Sequence, residues 1–250
     1  MSGLSGLGVL VTRPAHQAQA LCELLRQAGA SVNRLPLLAI EPAADEAAVT
    51  ARLRQARGWD HWIFTSANAA RQAARLNAGP WPSLAAAGAA TAIALAEAGR
   101  AGALVPAALD GAAGLLADPR FAAPAGKHIL IVTGDNTLAE LADGLRARGA
   151  RVEVLAVYRR VPVAHAPQAV AEMIAASQAA IVSSGEALAH LLQLTPTAAR
   201  PHLLALQLAL PSPRMIEKAR EAGFTQTPLL PARVSDAAFV ELLERWYRAC

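Results

Sequence analysis

Hydroxyl and amide side chains recur at one kind of place in this chain, the end of a short apolar run where a helical pattern is about to begin. Thr12, Ser66 with Asn68, Thr91, Thr133, Ser184 and Ser212 all stand there. In a parallel α/β sheet, ligands bind outside the carboxyl ends of the strands. Helix N-termini gathered there present unpaired N–H groups and a positive dipole end, which suit anions. Arg13 and Arg214 flank two of these turns and are candidates for charge-assisted bonds to a carboxylate. The plainer alternative stays open for each residue: Ser, Thr and Asn are the standard N-caps, and capping alone would explain them.

Tyr158 is a different kind of candidate. It is one of two tyrosines and lies in an extended stretch, not a helix. A phenol, with an ordinary pKa near ~10, stays protonated at neutral pH and can act as a general acid. An amphipathic ring packing a junction would satisfy the same position. Signatures of other chemistries are missing. The first strand–helix turn, Thr12-Arg13-Pro14, lacks the glycines that let a backbone approach pyrophosphate, and no GxxxxGK[ST] loop occurs. The histidines and cysteines form no i, i+4 pair and no CxxC motif, and Ser184-Gly185 is not part of a GxSxG elbow. The expectation is a site with no metal and no organic cofactor.

Strands and helices must place these residues, and the periodicity supplies them. Val9-Leu10-Val11-Thr12 reads as a buried strand, after which Pro14 opens a helix carrying Ala18, Leu21, Leu24 and Leu25 that closes at Gly29. Trp62-Ile63-Phe64-Thr65 is a strand followed by a helix through Leu76. Ile129 to Thr133 is another, with a helix from about Thr137 to Arg148, and Ala180-Ile181-Val182 precedes a helix to about Leu194. Strands separated by helices mean βαβ units and a parallel sheet.

The pattern repeats. A unit of strand, helix and Ala28-Gly29-Ala30-Ser31-Val32 recurs, ending Arg148-Gly149-Ala150-Arg151-Val152. Ile63-Phe64-Thr65-Ser66 recurs as Ile181-Val182-Ser183-Ser184, and Glu97-Ala98-Gly99 as Glu221-Ala222-Gly223. With these three units named A, B and C in turn, the order A-B-C-A-B-C predicts two similar α/β lobes. A tandem cut near residue 120 is one partition. The other pairs the Pro-bounded stretches 35–42 and 155–162 as a two-stranded connector, so that the chain's two ends join into one lobe. Periodicity does not choose between them.

Composition narrows the partners. Of 250 residues, 54% are hydrophobic and 17% charged, which argues against disorder. Net charge is +4 with Arg far outnumbering Lys, but no basic run or face appears, so nucleic acid is not expected. A small polyanion is a better use of a mild, Arg-based positive bias. The apolar stretch Leu84 to Ala96 is shorter than the ~20 residues of a membrane helix. The N-terminus lacks a basic signal region, and Cys22 and Cys250 make no disulfide framework. A cytoplasmic monomer acting on a small molecule, away from membranes, is expected.

In order and spacing, several short segments together resemble the uroporphyrinogen-III synthase family. They are Val11-Thr12-Arg13-Pro14, Phe64-Thr65-Ser66-Ala67-Asn68, Ala87-Gly88-Ala89-Ala90-Thr91-Ala92 and the stretch from Arg148-Gly149-Ala150 to Val157-Tyr158-Arg159-Arg160. Ser212-Pro213-Arg214 and Ala222-Gly223-Phe224 complete the set. The resemblance implies two α/β lobes joined by a two-stranded connector, with the N-terminal segment completing the C-terminal lobe. That selects the second partition, 1–36 with 163–250 against 37–162. It also implies the reaction, in which linear hydroxymethylbilane loses its terminal hydroxyl as water. The chain then closes to uroporphyrinogen III with the last pyrrole ring inverted, in a cleft between lobes and without a cofactor. Tyr158 matches the residue that assists hydroxyl departure, and Ser66, Thr91 and Ser184 match residues lining the cleft. Two departures stand out. Gly134 is followed by Asp135-Asn136-Thr137-Leu138 where relatives carry Gly-Arg, and Met215 aligns with Thr91, leaving any hydroxyl there to Ser212. A second reading is a non-catalytic bilobal tetrapyrrole- or anion-binding protein, since fold does not fix function, or a regulatory homologue, which the first departure alone supports.

Overall fold

The central strands of this chain are short and apolar on both sides, so they must be covered by helices on two faces. Gly8–Val11 and Ala179–Ile181 are buried at every residue, as parallel strands in the middle of a sheet are. The structure is a computed structural model and describes residues 3–55, 57–107, 109, 111–135 and 139–249.

In chain order the elements begin with β1 (Gly8–Val11), α1 (Gln19–Gln27), β2 (Ser31–Arg34), β3 (Leu38–Pro42), α2 (Glu46–Arg54) and β4 (His61–Phe64). They continue with α3 (Ala67–Leu76), β5 (Ser83–Ala86), α4 (Ala89–Glu97), α5 (Gly111–Ala117), β6 (His128–Gly134), α6 (Glu140–Ala147) and β7 (Arg151–Pro162). The last are α7 (Pro167–Ala175), β8 (Ala179–Ile181), α8 (Gly185–Leu194), α9 (Arg200–Ala205), β9 (Gln207–Ala209), α10 (Pro213–Glu221) and α11 (Asp236–Tyr247). The helix expected to open at Pro14 begins later. Ala15–Gln17 is a 3-10 turn and α1 starts at Gln19, because Pro14 holds extended backbone (ψ 139°) and serves as the cap before the turn. Asn136, Thr137 and Leu138, the rest of the departing loop and the expected start of the helix before Arg148, lie outside the described residues.

The chain divides into two units, 1–39 with 161–250, and 40–160. The first has the sheet order β2-β1-β8-β9, the second β3-β7-β6-β4-β5. The registered pairs in both are parallel. Without β3 the two orders match element for element, and even the edges agree: Leu104 bridges Ala85 beyond β5, and Leu229 bridges Ala209 beyond β9. β3 and β7 are sheet neighbours, and each contains one of the two points where the chain leaves one unit for the other. Each unit therefore takes its A segment from one sequence repeat and its B and C segments from the other.

The repeat is also visible in how helices stop. After α1, Gly29 has φ +96° and donates to Arg26 O, while the Ala30 N–H reaches Leu25 O. Gly149 after α6, Gly99 after α4 and Gly223 after α10 make the same pair of bonds. This is the Schellman stop, and it needs a residue that tolerates positive φ.

Side chains alternate across each sheet, so each unit has two cores. Val9 and Val11 join Leu21, Leu25, Phe239 and Leu243 under α1 and α11, while Leu10 faces Leu188, Leu191 and Leu208 on the other side. In the second unit Trp62, Phe64, Leu130 and Val132 pack under α3 and α4, and Ile63, Ile129 and Ile131 pack under α6. Full burial of one such side chain stabilises by roughly 1.5–3 kcal/mol. α11, which periodicity alone did not resolve, is capped by Ser235 and buries Phe239, Leu242 and Leu243.

Gly8 shows how tightly the N-terminal strand is built into the first unit. Its N–H donates to Gln178 Oε1 at 2.8 Å, and its carbonyl accepts from the Gln178 N–H. A Cβ there would collide with the Ala176 carbonyl oxygen, which is backbone and cannot swing aside. Gly8→Ala is expected to cost about 1–3 kcal/mol in urea denaturation through overpacking. A loss below about 0.5 kcal/mol, the range of neutral surface changes, would show that this approach is not tight.

Candidate active site

The carboxyl ends of β4, β6 and β7 bring the candidate acid together with its neighbours. β6 and β7 run in register to Thr133 opposite Ala156, and then Gly134 stands opposite Tyr158, leaving Val157 as the extra residue of a bulge. A bulge breaks the alternation of a strand and re-aims the side chains beyond it. Here Val157 and Tyr158, though adjacent, both enter the core beneath α3 and α4. The ring is 1% exposed. Its hydroxyl lies 3.2 Å from Ser66 Oγ and 3.0 Å from Arg160 Nη2.

Gly134 makes this possible. A Cβ at that position would lie 2.5 Å from Tyr158 Cζ and 2.9 Å from its hydroxyl oxygen. The next residue anchors the strand from the other side: the Asp135 N–H donates to Tyr158 O at 3.1 Å, and Asp135 Oδ1 accepts from the Arg160 N–H at 3.3 Å. Thr65 Oγ1 donates to Thr133 Oγ1 at 2.7 Å, tying the ends of β4 and β6.

The expected site residues stand in different settings. Ser66 and Ser184 are working caps, accepting from the N–H of Ala69 and Ala187 at 3.1 Å on α3 and α8. Asn68 lies half-buried in the first turn of α3, and Thr91 is buried in the first turn of α4. Ser212 occupies the cap position of α10 without a capping bond from its side chain, and Arg214 is exposed in that helix's first turn. Arg13 is ion-paired through Nη1 with Asp236 and sits 5.6 Å from the Phe239 ring centroid. Thr12 is structural: its hydroxyl donates to Ile181 O and is buried.

The two units differ at the position of the candidate acid. Nine residues after the equivalent glycines Gly29 and Gly149 stand Leu38 and Tyr158, both buried. One unit has a phenol where the other has an alkyl group. Gly134 and Asp135 were noted from sequence only as a departing loop, and Thr65 and Arg160 only as parts of matching segments; none of the four was expected in the site. A glycine ending a strand signals close approach, and Arg160 shares a strand side with Tyr158 by i, i+2 spacing, so two of the four left a trace.

A hollow of about 570 Å³ has Val49, Leu155, Ala156, Asp135 and Tyr158 among its lining residues. A larger one of about 700 Å³, around Arg54, Asn77 and Pro80, lies at the far end of α3 from Ser66. Among the described residues no His, Cys, Asp and Glu cluster could hold a metal ion, and no helix is long and apolar enough to cross a membrane.

Fold and site together define a parallel α/β protein of two units built from exchanged repeat halves, with hydroxyl-capped helix N-termini at its strand ends. A family model described as uroporphyrinogen-III synthase HemD matches residues 19–237. The chain belongs to the uroporphyrinogen-III synthase family, whose members are cyclising lyases of heme biosynthesis. It is 28% identical over 240 residues to the uroporphyrinogen-III synthase of Salmonella typhimurium, covering 92% of this chain and 98% of that one. Two solved structures share the fold at a TM-score of 0.65. One, a mutant uroporphyrinogen III synthase from the extremely thermophilic bacterium Thermus thermophilus, is 22% identical, covering 97% of this chain and 98% of that one. The other, the uroporphyrinogen-III synthetase of Helicobacter pylori 26695, is 14% identical, covering 96% and 99%. The reading of a non-catalytic homologue is not favoured.

Because the phenol fills the space a Cβ would need, Gly134→Ala is expected to lose about 1–3 kcal/mol. The loss should shrink when the ring is absent, giving a non-additive double-mutant cycle with Tyr158→Ala. Strictly additive losses in urea denaturation would show that the ring does not dictate the glycine.

Proposed function

We propose that this chain closes hydroxymethylbilane to uroporphyrinogen III with Tyr158 as the general acid for departure of the terminal hydroxyl. The carrying observation is the phenol's setting: buried, held by a bulge, and hydrogen-bonded to both a serine and a guanidinium. The acid's proton passes to the leaving oxygen as the C–O bond breaks, and water departs with the bonding pair. Arg160 stabilises the phenolate that results. Ring closure releases one proton from the attacked pyrrole, which restores the phenol, so the sum is one water lost.

The cation-like azafulvene left behind is open to capture by water, and the last pyrrole also closes spontaneously in the wrong orientation. Holding geometry and excluding water are then the main tasks, and orientation alone supplies several kcal/mol. Ser66 is proposed to meet the substrate through its hydroxyl, and Asn68 and Thr91 to read substrate carboxylates at the N-termini of α3 and α4. Ser184, Ser212 and Arg214 are proposed to do so at α8 and α10. Arg13 has Nη1 on Asp236, and the rest of its fork is assigned to a carboxylate. The working state is proposed to be a cytoplasmic monomer that needs no metal or organic cofactor, nucleic acid or membrane.

Purified, chelator-treated protein should convert hydroxymethylbilane mainly to the type III isomer, read as the oxidised porphyrin; type I alone would sink the assignment. Tyr158→Phe should lower kcat by ~10²–10⁴, the span of a general acid, and leave the melting temperature within a few degrees because the ring remains. Near-wild-type turnover in that variant would remove the phenol from the mechanism.

A further inference from the structure

Arg160 is a half-buried guanidinium that no capping role explains. Its Nη2 donates to the Tyr158 hydroxyl oxygen at 3.0 Å, and its central carbon lies 5.5 Å from the ring centroid. A guanidinium has only donors, so the direction of that bond is set: the phenol oxygen accepts. The bond from the Ala69 N–H to Ser66 Oγ is set in the same way, with the serine accepting.

What remains is the 3.2 Å contact between the two hydroxyls, in which either oxygen can donate. Arg160 decides it. A positive donor on the phenol oxygen withdraws electron density and makes its O–H the better donor of the two. The order is then Arg160 to Tyr158 to Ser66. Ser66 Oγ accepts from Ala69 and from Tyr158, both lone pairs are used, and its own proton must point away from the phenol. Exposure runs the same way: Tyr158 is 1% exposed, whereas Ser66 is half-buried at the mouth of the strand ends.

We infer that the hydroxyl of Ser66 is the catalytic group that meets the leaving oxygen, that Tyr158 resupplies it, and that Arg160 is a positioning residue that sets the direction of this relay. The inference rests on the proposed function, in which the phenol is the proton source. In one step the Ser66 proton passes to the leaving hydroxyl, the C–O bond breaks, and its electron pair leaves with water. Ser66 takes the Tyr158 proton as it gives up its own, and the phenolate pair is held by the Arg160 N–H. The proton released on ring closure returns through Ser66 to the phenolate. Nothing is oxidised or reduced.

Single-turnover kinetics and melting curves on variants of the full chain test this. Ser66→Ala should lower kcat by about as much as Tyr158→Phe, and the double variant should be no slower than the worse single, since both cut one relay. Ser66→Ala also loses the α3 cap, so Ser66→Asp is the control: it keeps a capping acceptor but has no hydroxyl proton at neutral pH. Ser66→Asp should stay slow at wild-type stability, and Ser66→Thr should recover most of the rate. Arg160→Met should lower kcat about 10-fold or more with KM within about twofold, as loss of a donor to a developing oxyanion does. Arg160→Lys should regain part of it. Fast turnover by Ser66→Asp or Ser66→Ala beside a slow Tyr158→Phe would overturn the relay and leave the phenol as direct donor. A fast Tyr158→Phe would overturn the underlying reading as well. A raised KM with unchanged kcat in Arg160→Met would make Arg160 a carboxylate contact and end its positioning role.

Discussion

Everything in this molecule depends on two parallel strand pairings between residues far apart in sequence, β1 with β8 and β4 with β6. Parallel strands cannot be joined by a tight turn and need covered faces on both sides. Neither A-B-C repeat supplies its own closure here. β1 finds its B-type neighbour in residues 179–181, and β4 finds its A-type neighbour in residues 128–134. The halves are exchanged, and the chain must cross from unit to unit twice, through β3 and β7.

That exchange shapes the site. In the second unit β7 continues past the end of its partner β6, and the register shift at Thr133/Gly134 falls at that end. Continuing a strand beyond its neighbour leaves side chains with room to be re-aimed, and the bulge uses it to turn Tyr158 onto the α3 face. A hydroxyl then meets the capping serine of the next helix, so a residue whose ordinary work is local capping acquires a second partner. The matching place in the first unit holds Leu38. Duplicated architecture thus places a phenol at this position in one unit only.

The arginines divide in a related way. Arg52 is bidentate to Glu153 and lies over Trp59, tying α2 to β7. Arg120 holds Asp118 down to about 2, through side-chain hydrogen bonds first and its own backbone N–H second. Arg100 lies over Trp81 and donates to carbonyls after α3. A positive composition is therefore no direct measure of ligand-binding charge, because many of these cations already have structural partners.

The local layers were legible in the residues themselves. Alternating apolar runs, hydroxyl caps and stopping glycines marked β1, β4, β6, β8 and their helices, and Gly29, Gly99, Gly149 and Gly223 exposed the repeat because only such residues accept the positive φ of the stop. Ser66 and Ser184 announced themselves by type and place for the same reason: a cap is a local interaction. Not legible were the cut between units, the bulge opposite Gly134 and the partnership of Ser66, Tyr158 and Arg160. Tandem and exchanged halves present the same periodicity, so the pattern alone does not choose between them. A bulge depends on how two separate strands fall into register, here pairing Thr133 with Ala156 and Gly134 with Tyr158, which no single strand encodes. Local preference acts over a few residues and determined the elements; strand pairing over long separations, governed by burial on both sheet faces, decided which hydroxyl the phenol touches.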